Sequence, residues 1–148
     1  MSISDKKSEK CFRSSLILPN NVQEVRRLAE FVDAACEAVG FDMSTTRQMN
    51  LAIEDAVVNV MDYAYPPGTK GDVCIEALAG EEGLVVIISD TGAPFDPTTR
   101  GEVDTTLSAE ERSIGGLGIM LMRRYMDSTE YRREGDRNIL TLTKKRTN

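Results

Sequence analysis

Residues 51–65, LAIEDAVVNVMDYAY, decide the fold, because they form one amphipathic helical pattern that also carries an unusual polar strip. At about 100° per residue, one broad arc of this helix is entirely apolar. The arc consists of Ile53, Ala56, Val57, Val60, Met61 and Ala64. Asp55, Asn59 and Asp62 fall within roughly 60° of one another on a different side of the helix. The strip is either a solvated helix edge or part of a binding site, and the helix alone leaves both interpretations open.

Around this helix, the sequence predicts a sheet and two further helices. A strand is expected at residues 11–18, followed by a helix over residues 20–40 that keeps its apolar spacing until a glycine. Thr45 with Gln48 resembles a capping box at the start of the central helix, and the prolines after it end it. Residues 91–113 are expected to form a long irregular loop. The remaining predicted elements are strands at 72–78, 84–89, 128–133 and 138–144 and a helix at 114–126.

The order of these elements determines the expected fold class. It is β-α-α-β-β-loop-α-β-β, which is not the alternation of a doubly wound parallel sheet. It predicts an α+β two-layer sandwich, in which about three helices lie on one face of a mixed, mostly antiparallel sheet of four or five strands. We expect residues 11–145 to form a single domain and residues 1–10 to form a flexible N-terminus.

The composition narrows the function by exclusion. The chain has 41% hydrophobic residues, 28% charged residues and a net charge of −6, with Lys and Arg dispersed, so no direct nucleic-acid partner is expected. Because the chain contains no His, Ser-His and Cys-His nucleophilic catalysis is excluded. No apolar run approaches the roughly 18 residues of a membrane span, so we expect a cytoplasmic protein without membrane contact.

A second polar motif, SDTGAPF, begins at Ser89, where the most apolar predicted strand ends. A carboxylate that leaves a buried strand is partly desolvated and must find hydrogen-bond donors. Asp90 could therefore accept a hydrogen bond from an exocyclic amino group such as that of adenine, and Gly92 would let the backbone approach a flat ring. A turn in which Asp90 caps the following amides explains a lone D-x-G at least as well.

A third motif, GGLGIMLM, begins at Gly115 and leads into a predicted helix. Glycines directly before a helix offer free N–H groups and a positive helix end to a phosphate. The motif is not a Walker A loop, since it lacks GK[ST], nor a Rossmann fingerprint, since no strand directly precedes it. A flexible hinge into a core helix is the alternative interpretation.

In this order, the three motifs resemble the nucleotide-binding boxes of the GHKL (Bergerat-fold) ATPases: D-x-x-x-N on a helix, D-x-G after a strand, and G-x-G at a helix start behind a long loop. Within that superfamily, the short chain and the stretches DTGAPFDP and GGLGIMLMRRYMD are similar to the anti-sigma-factor serine/threonine kinases of the RsbW/SpoIIAB type. The resemblance covers residues 16–144 and implies the Bergerat fold, with ATP and Mg²⁺ as cofactors.

The resemblance implies a function for each motif residue at one magnesium–ATP site. Asn59 would coordinate Mg²⁺ through its amide oxygen, and Asp62 would contact the phosphates or a lid. Asp90 would bind the adenine amino group, with Gly92 admitting the ring. The phosphates would be bound by the backbone amides of a short glycine-rich turn: Gly116, Leu117 and Gly118.

The general base that the family places four residues before the Asn corresponds here to Asp55, although Glu54 carries the family's residue type. Residue 54 lies roughly 140° around the helix from Asn59, whereas residue 55 lies about 40° away, so Asp55 is the predicted catalytic base. Asp is one methylene shorter than Glu, which could slow phosphotransfer. A lid at residues 101–113 would close over the phosphates, and we leave Thr141 and Thr143 outside the site because the match in the last strand is loose.

The resemblance implies an ATP-dependent serine/threonine kinase and anti-sigma regulatory factor. Its substrate would be a small STAS-domain anti-anti-sigma factor, and it would sequester a sigma factor or another target. A PP2C-type phosphatase would act in the same pathway, and the resemblance also allows a homodimer. One alternative is a nucleotide-binding, partner-switching module with little or no phosphotransfer. The other is a structural domain in which the three motifs are incidental.

Overall fold

The computed structural model describes residues 11–66, 68–100 and 116–146. The predicted flexible N-terminus, residues 1–10, and the predicted lid, residues 101–113, lie outside these ranges. A 3₁₀ turn, Val22–Arg27, leads directly into the first helix. The strands and helices are β1 (Phe12–Pro19), α1 (Leu28–Val39), α2 (Met43–Tyr63), β2 (Asp72–Gly80), β3 (Gly83–Asp90), α3 (Pro97–Arg100), α4 (Gly116–Tyr125), β4 (Ser128–Glu134) and β5 (Arg137–Lys145).

The five strands form one sheet in the order β1-β2-β3-β5-β4, and every neighbouring pair is antiparallel. The apolar strand β3 is therefore central, as predicted, and β1 is at an edge. The last strand, β5, pairs with β3, so that Asp90 lies directly opposite Asn138. The predicted α+β class is confirmed, with five strands in the described part of the chain and no parallel pair among them.

The hydrophobic core lies between one face of the sheet and the helices. Side chains alternate between faces along a strand, and every second residue of the inner strands is buried. The apolar members of this buried set are Val73, Ile75, Ala77, Ala79, Leu84, Val86, Ile88, Leu140 and Leu142. Helix α1 covers β1 to β3, and α2 packs between α1 and α4. Among the described residues, none of the helices combines the length and the apolar character of a membrane-spanning segment.

Helix α2 is the predicted central helix, and all six residues of its apolar arc are buried. Its predicted start is wrong: the helix begins at Met43, and Asp42 is the N-cap, its carboxylate accepting from the backbone N–H of Thr45 at 2.8 Å. A carboxylate there satisfies one of the free N–H groups of the first turn, so the helix begins two residues before Thr45. The helix ends at Tyr63, shortly before Pro66.

The prediction of an irregular loop over residues 91–113 is wrong in one part, because the loop after β3 contains the short helix α3. The carboxylate of Asp96 accepts from the backbone N–H of Thr98 at 2.9 Å, which starts this turn of helix. The carbonyl of Thr98 in turn accepts from the guanidinium of Arg123 in α4. The two elements that flank residues 101–115 are therefore in direct contact.

Candidate functional site

Asn59 is the most informative polar residue of α2, because its side chain is only 1% exposed. The amide nitrogen donates to the backbone carbonyl of Asp55, one turn earlier, at 2.8 Å. The amide oxygen, Oδ1, is buried and accepts no hydrogen bond within the described residues. A buried acceptor without a donor costs free energy, and such a group in a native protein calls for a partner such as a water, a ligand or a cation.

The other members of the polar strip differ from Asn59 in exposure. Asp55 is half-buried, and this burial raises the pKa of its carboxyl. Asp62 and Glu54 are exposed. The burial of Asp55 and the exposure of Glu54 thus differ in the same sense as the helix geometry, which favours Asp55 as the predicted base.

Asp90 ends β3 with its side chain 2% exposed. Its Oδ1 accepts from the backbone N–H of Gly92 at 2.8 Å and from the side-chain amide of Asn138 at 2.9 Å. Burial raises the pKa of the Asp90 carboxyl, and these two hydrogen bonds together with Arg133 and Arg137 oppose that rise. Asp90 thus caps its own turn, as the alternative interpretation of the D-x-G motif predicted. The turn uses only one of the two carboxylate oxygens.

Asn138 is a site residue that the sequence analysis missed. It is 4% exposed and connects Asp90 to the loop after β3 and to strand β4. One signal in the sequence was available, since Asn138 shares its face of β5 with Leu140 and Leu142, and a polar residue at a core position requires partners. Thr141 and Thr143 lie on the opposite face of β5 from Asn138, paired with Ile87 and Val85.

Gly92 is needed for packing against α2, which differs from the reason expected from the sequence. A Cβ at this position would lie 2.3 Å from the carbonyl oxygen of Ala64, immediately after α2. The same carbonyl accepts from the backbone N–H of Ala93 at 2.7 Å. The D-x-G turn is therefore held directly against the C-terminal end of α2, and contact of Gly92 with a base stays a prediction.

The glycine-rich motif lies at the start of α4, whose first three described residues are Gly116, Leu117 and Gly118. The first N–H groups of a helix have no partner within it and carry the positive end of the helix dipole. Helix α4 packs along α2. The helix that bears Asn59 thus contacts both other motif-bearing segments: α4 along its side, and the D-x-G turn at its end.

In this fold, the helix that carries Asn59 contacts both the turn after Asp90 and the glycine-rich start of another helix. This combination defines a class of protein, the nucleotide-binding α+β domains. A profile of the histidine kinase-like ATPase domain matches residues 18–144. The chain therefore belongs to the histidine kinase-like ATPase domain family.

Relatives of known name agree with this assignment. Serine-protein kinase RsbW of Listeria monocytogenes is 33% identical over 107 residues, which cover 69% of this chain and 68% of that protein. Serine/threonine-protein kinase BtrW of Bordetella bronchiseptica is 30% identical over 95 residues, covering 64% of this chain and 67% of that protein. Serine-protein kinase RsbW of Bacillus pumilus is 29% identical over 98 residues, covering 62% and 60%. The predicted resemblance to the RsbW-type kinases is confirmed, and with it the enzyme class, a protein serine/threonine kinase that binds ATP.

The donor chemistry of the site fits a magnesium ion that is held mainly by the nucleotide. Among the described residues, no group of three or more Asp, Glu or Cys side chains could hold a metal. Mg²⁺ commonly takes one or two protein oxygens and completes its octahedron with waters and substrate phosphates. The partnerless Oδ1 of Asn59 is one such oxygen.

Proposed function

We propose that this kinase transfers the γ-phosphate of ATP to a serine or threonine of a small STAS-domain anti-anti-sigma factor. In the same proposal it sequesters a sigma factor or another target once that antagonist is phosphorylated, and a PP2C-type phosphatase reverses the modification. The observation that carries the catalytic part is the pairing on α2 of a buried, partnerless amide oxygen at Asn59 with a carboxylate one turn away at Asp55.

Asn59 is the proposed Mg²⁺ ligand, with Oδ1 as the coordinating atom. Its nitrogen is fixed by the carbonyl of Asp55 at 2.8 Å, which supports an orientation of the amide that keeps the oxygen free for the ion. The bound metal would neutralise charge on the phosphates. Backbone amides of Gly116, Leu117 and Gly118 would bind the phosphate oxygens at the positive end of α4.

Asp90 is the proposed ligand of the adenine amino group, beside Gly92. Both hydrogen bonds that the structure gives its carboxylate fall on Oδ1, which supports Oδ2 as the atom that faces the base. Asp62 is exposed near the end of the same helix strip and is proposed to contact the phosphates.

Asp55 is the proposed general base. It would accept the proton of the substrate hydroxyl as that oxygen attacks the γ-phosphate. Its half-buried position and the raised pKa that follows from burial make it a better proton acceptor than an exposed Asp. A base must be ionised to act, so we expect phosphotransfer to fall on the acid side of a midpoint above the ordinary Asp pKa.

One alternative function has an observation in its favour. The base position holds the short Asp55, while the neighbouring Glu54 is exposed and points elsewhere on the helix. A nucleotide-binding module that switches partners with little or no phosphotransfer would need the site of Asn59 and Asp90 but not a well-placed base.

Phosphate transfer separates the two functions. The full chain is incubated with Mg²⁺, ATP labelled at the γ-phosphate, and a purified STAS-domain anti-anti-sigma factor. We expect label on a serine or threonine of that protein, and about 100-fold or more slower labelling by Asp55→Ala. Nucleotide binding without label on any partner would favour the switching module.

Matched variants test the base assignment. Glu54→Ala removes an adjacent but exposed carboxylate and should leave the labelling rate unchanged. Asp55→Glu restores the family's side-chain length and should label at least as fast as the wild type. Labelling by Asp55→Ala at the wild-type rate would rule out Asp55 as the base while leaving the nucleotide site intact.

A further inference from the structure

Asn138 uses all of its hydrogen-bonding capacity inside the protein. Its amide nitrogen donates to Oδ1 of Asp90 at 2.9 Å and to the carbonyl of Ala93 at 2.8 Å. Its amide oxygen accepts from three donors: the backbone N–H of Phe95, the hydroxyl of Tyr131 and the guanidinium of Arg133. An Asn amide has two N–H donors and two oxygen lone pairs, so its orientation is fixed from both ends.

This orientation presents a donor, and not an acceptor, to Asp90. Together with the N–H of Gly92, it occupies Oδ1 of the carboxylate and fixes the plane of the group. The other oxygen, Oδ2, is then an acceptor of fixed direction. An acceptor matches the 6-amino group of adenine, whereas a purine with a 6-oxo group would bring a second acceptor against it.

We propose that Asn138 is the residue that sets the base selectivity of this site, because its fixed amide keeps Asp90 a pure acceptor and thereby admits 6-amino purines over 6-oxo purines. This inference rests on the proposed binding of the base by Asp90. Asn138 is a positioning residue, since it acts through Asp90 and not on the nucleotide.

Two cations near Asp90 also favour the ionised form of its carboxyl group. Arg133 donates to the carbonyl of Gly92 at 2.9 Å, and Arg137 donates to the hydroxyl of Ser89 at 3.0 Å. Both lower the pKa of Asp90 against the effect of its burial. Asn138 is the closest of these stabilising groups outside the turn itself, because it bonds directly to the carboxylate.

Replacing Asn138 by Asp keeps the shape of the side chain but removes its donor. Two carboxyl groups in contact cannot both ionise, so the pair would share a proton. Three donors face residue 138 and favour the ionised form of a carboxyl there: the N–H of Phe95, the hydroxyl of Tyr131 and the guanidinium of Arg133. The shared proton therefore falls on Asp90, whose carboxyl group is no longer held as an acceptor and can turn its O–H toward a 6-oxo group. The discrimination between the two kinds of purine would then decrease.

The experiment measures Kd for Mg-ATP and Mg-ITP by calorimetry on the full chain, since ITP differs from ATP in the 6-oxo group and the protonation of the neighbouring ring nitrogen. The wild type should prefer ATP, and the absence of this preference would overturn the proposed contact with Asp90. For Asn138→Asp we expect the ITP/ATP ratio of Kd to fall by about tenfold or more. Leu140→Ala, a buried change two residues along the same face, should weaken folding without changing the ratio.

A second variant keeps the test decisive if the charged replacement does not fold. Asn138→Ser introduces no charge and leaves space for water to satisfy Ala93, Phe95 and Tyr131. Because it removes the amide that fixes Asp90 from both ends, it should also lower the ITP/ATP ratio of Kd. A wild-type preference for ATP that survives in the folded variant would overturn the function proposed for Asn138, while the nucleotide site itself would stand.

Discussion

The buried amide of Asn59 uses only its nitrogen within the described protein, and its oxygen has no donor. Replacing Asn59 with Leu, which is similar in volume, removes this unsatisfied acceptor. We expect the nucleotide-free protein to become more stable by about 1 kcal/mol, because a buried unsatisfied polar group costs about that much or more. The same variant should lose the extra thermal stabilisation that Mg²⁺ adds to ATP.

Thermal unfolding with and without ATP and Mg²⁺ measures both effects of Asn59→Leu. The wild type at ATP near 100 times Kd should gain roughly 2.7 kcal/mol. A variant that is strongly destabilised without ligand would show that Oδ1 has a partner inside the protein, contrary to the proposed coordination.

Asp90 predicts a specific pH dependence of stability. Its folded pKa is raised above the ordinary value of 3.8, so the folded state binds this proton more tightly than the unfolded state. The favourable contribution is complete below the ordinary pKa and is lost as pH rises through the folded pKa. Above the folded pKa, the ionised carboxylate therefore lowers the free energy of unfolding.

Asp90→Asn should accordingly raise the melting temperature of the nucleotide-free protein at neutral pH, with a smaller gain at acid pH. It should also weaken ATP binding. Because Gly92 and Asn138 both donate to the Oδ1 position, the new amide must turn its nitrogen to the other position and present a donor to the 6-amino group. Melting temperatures across the acid range test the first expectation, and a lower melting temperature at neutral pH would contradict it.

At the level of single residues, the sequence was sufficient to nominate the candidate site residues that lie in local motifs. Asn59 and Asp90 could be proposed as site residues because helix geometry and a strand end place them without reference to distant parts of the chain. Asn138 could not be found in this way, since its partner is 48 residues away in sequence and their contact depends on which strand pairs with β3.

The junction of β3 with α2 is the contact between elements that the site depends on most. Gly92→Ala would place a Cβ against the backbone carbonyl of Ala64, which is not a flexible group. We expect a loss of about 1–3 kcal/mol in folding free energy, typical of overpacking. Nucleotide affinity should also fall, because the D-x-G turn must move away from α2.

Gly80→Ala is the matched control for that change. Its Cβ would lie at an ordinary contact distance of 3.6 Å from the sulfur of Cys11. Chemical denaturation of both variants gives the comparison. Equal stability of the two would contradict the close packing at Gly92.

Element boundaries show where local sequence signals compete. The capping box at Thr45 and the carboxylate of Asp42 are both acceptable helix starts, and the sequence does not rank them. The structure uses Asp42, and the backbone N–H of Thr45 becomes the capped group. The short helix α3 was missed because a helix of four residues has no hydrophobic periodicity to detect.

For the whole molecule, the sequence predicted the helix layer and the sheet layer, but it did not predict the order of the strands within the sheet. Each hairpin followed from its turn and its alternation, but pairing between hairpins required a comparison of their exposed edges. Strand β4, STEYRRE, is charged and has no buried residue, which suits an edge of the sheet. Strand β5 buries Leu140 and Leu142, which suits an inner position beside β3.

The central claim is that Asn59 and Asp90 bind the two ends of one magnesium–adenine nucleotide. Calorimetric titration of ATP, with Mg²⁺ and with chelator, tests it most directly. The wild type should bind ATP more tightly with Mg²⁺, Asn59→Leu should bind equally with and without the metal, and Asp90→Asn should bind at least about tenfold more weakly under both conditions. Binding of Mg-ATP by both variants with wild-type affinity would contradict the claim.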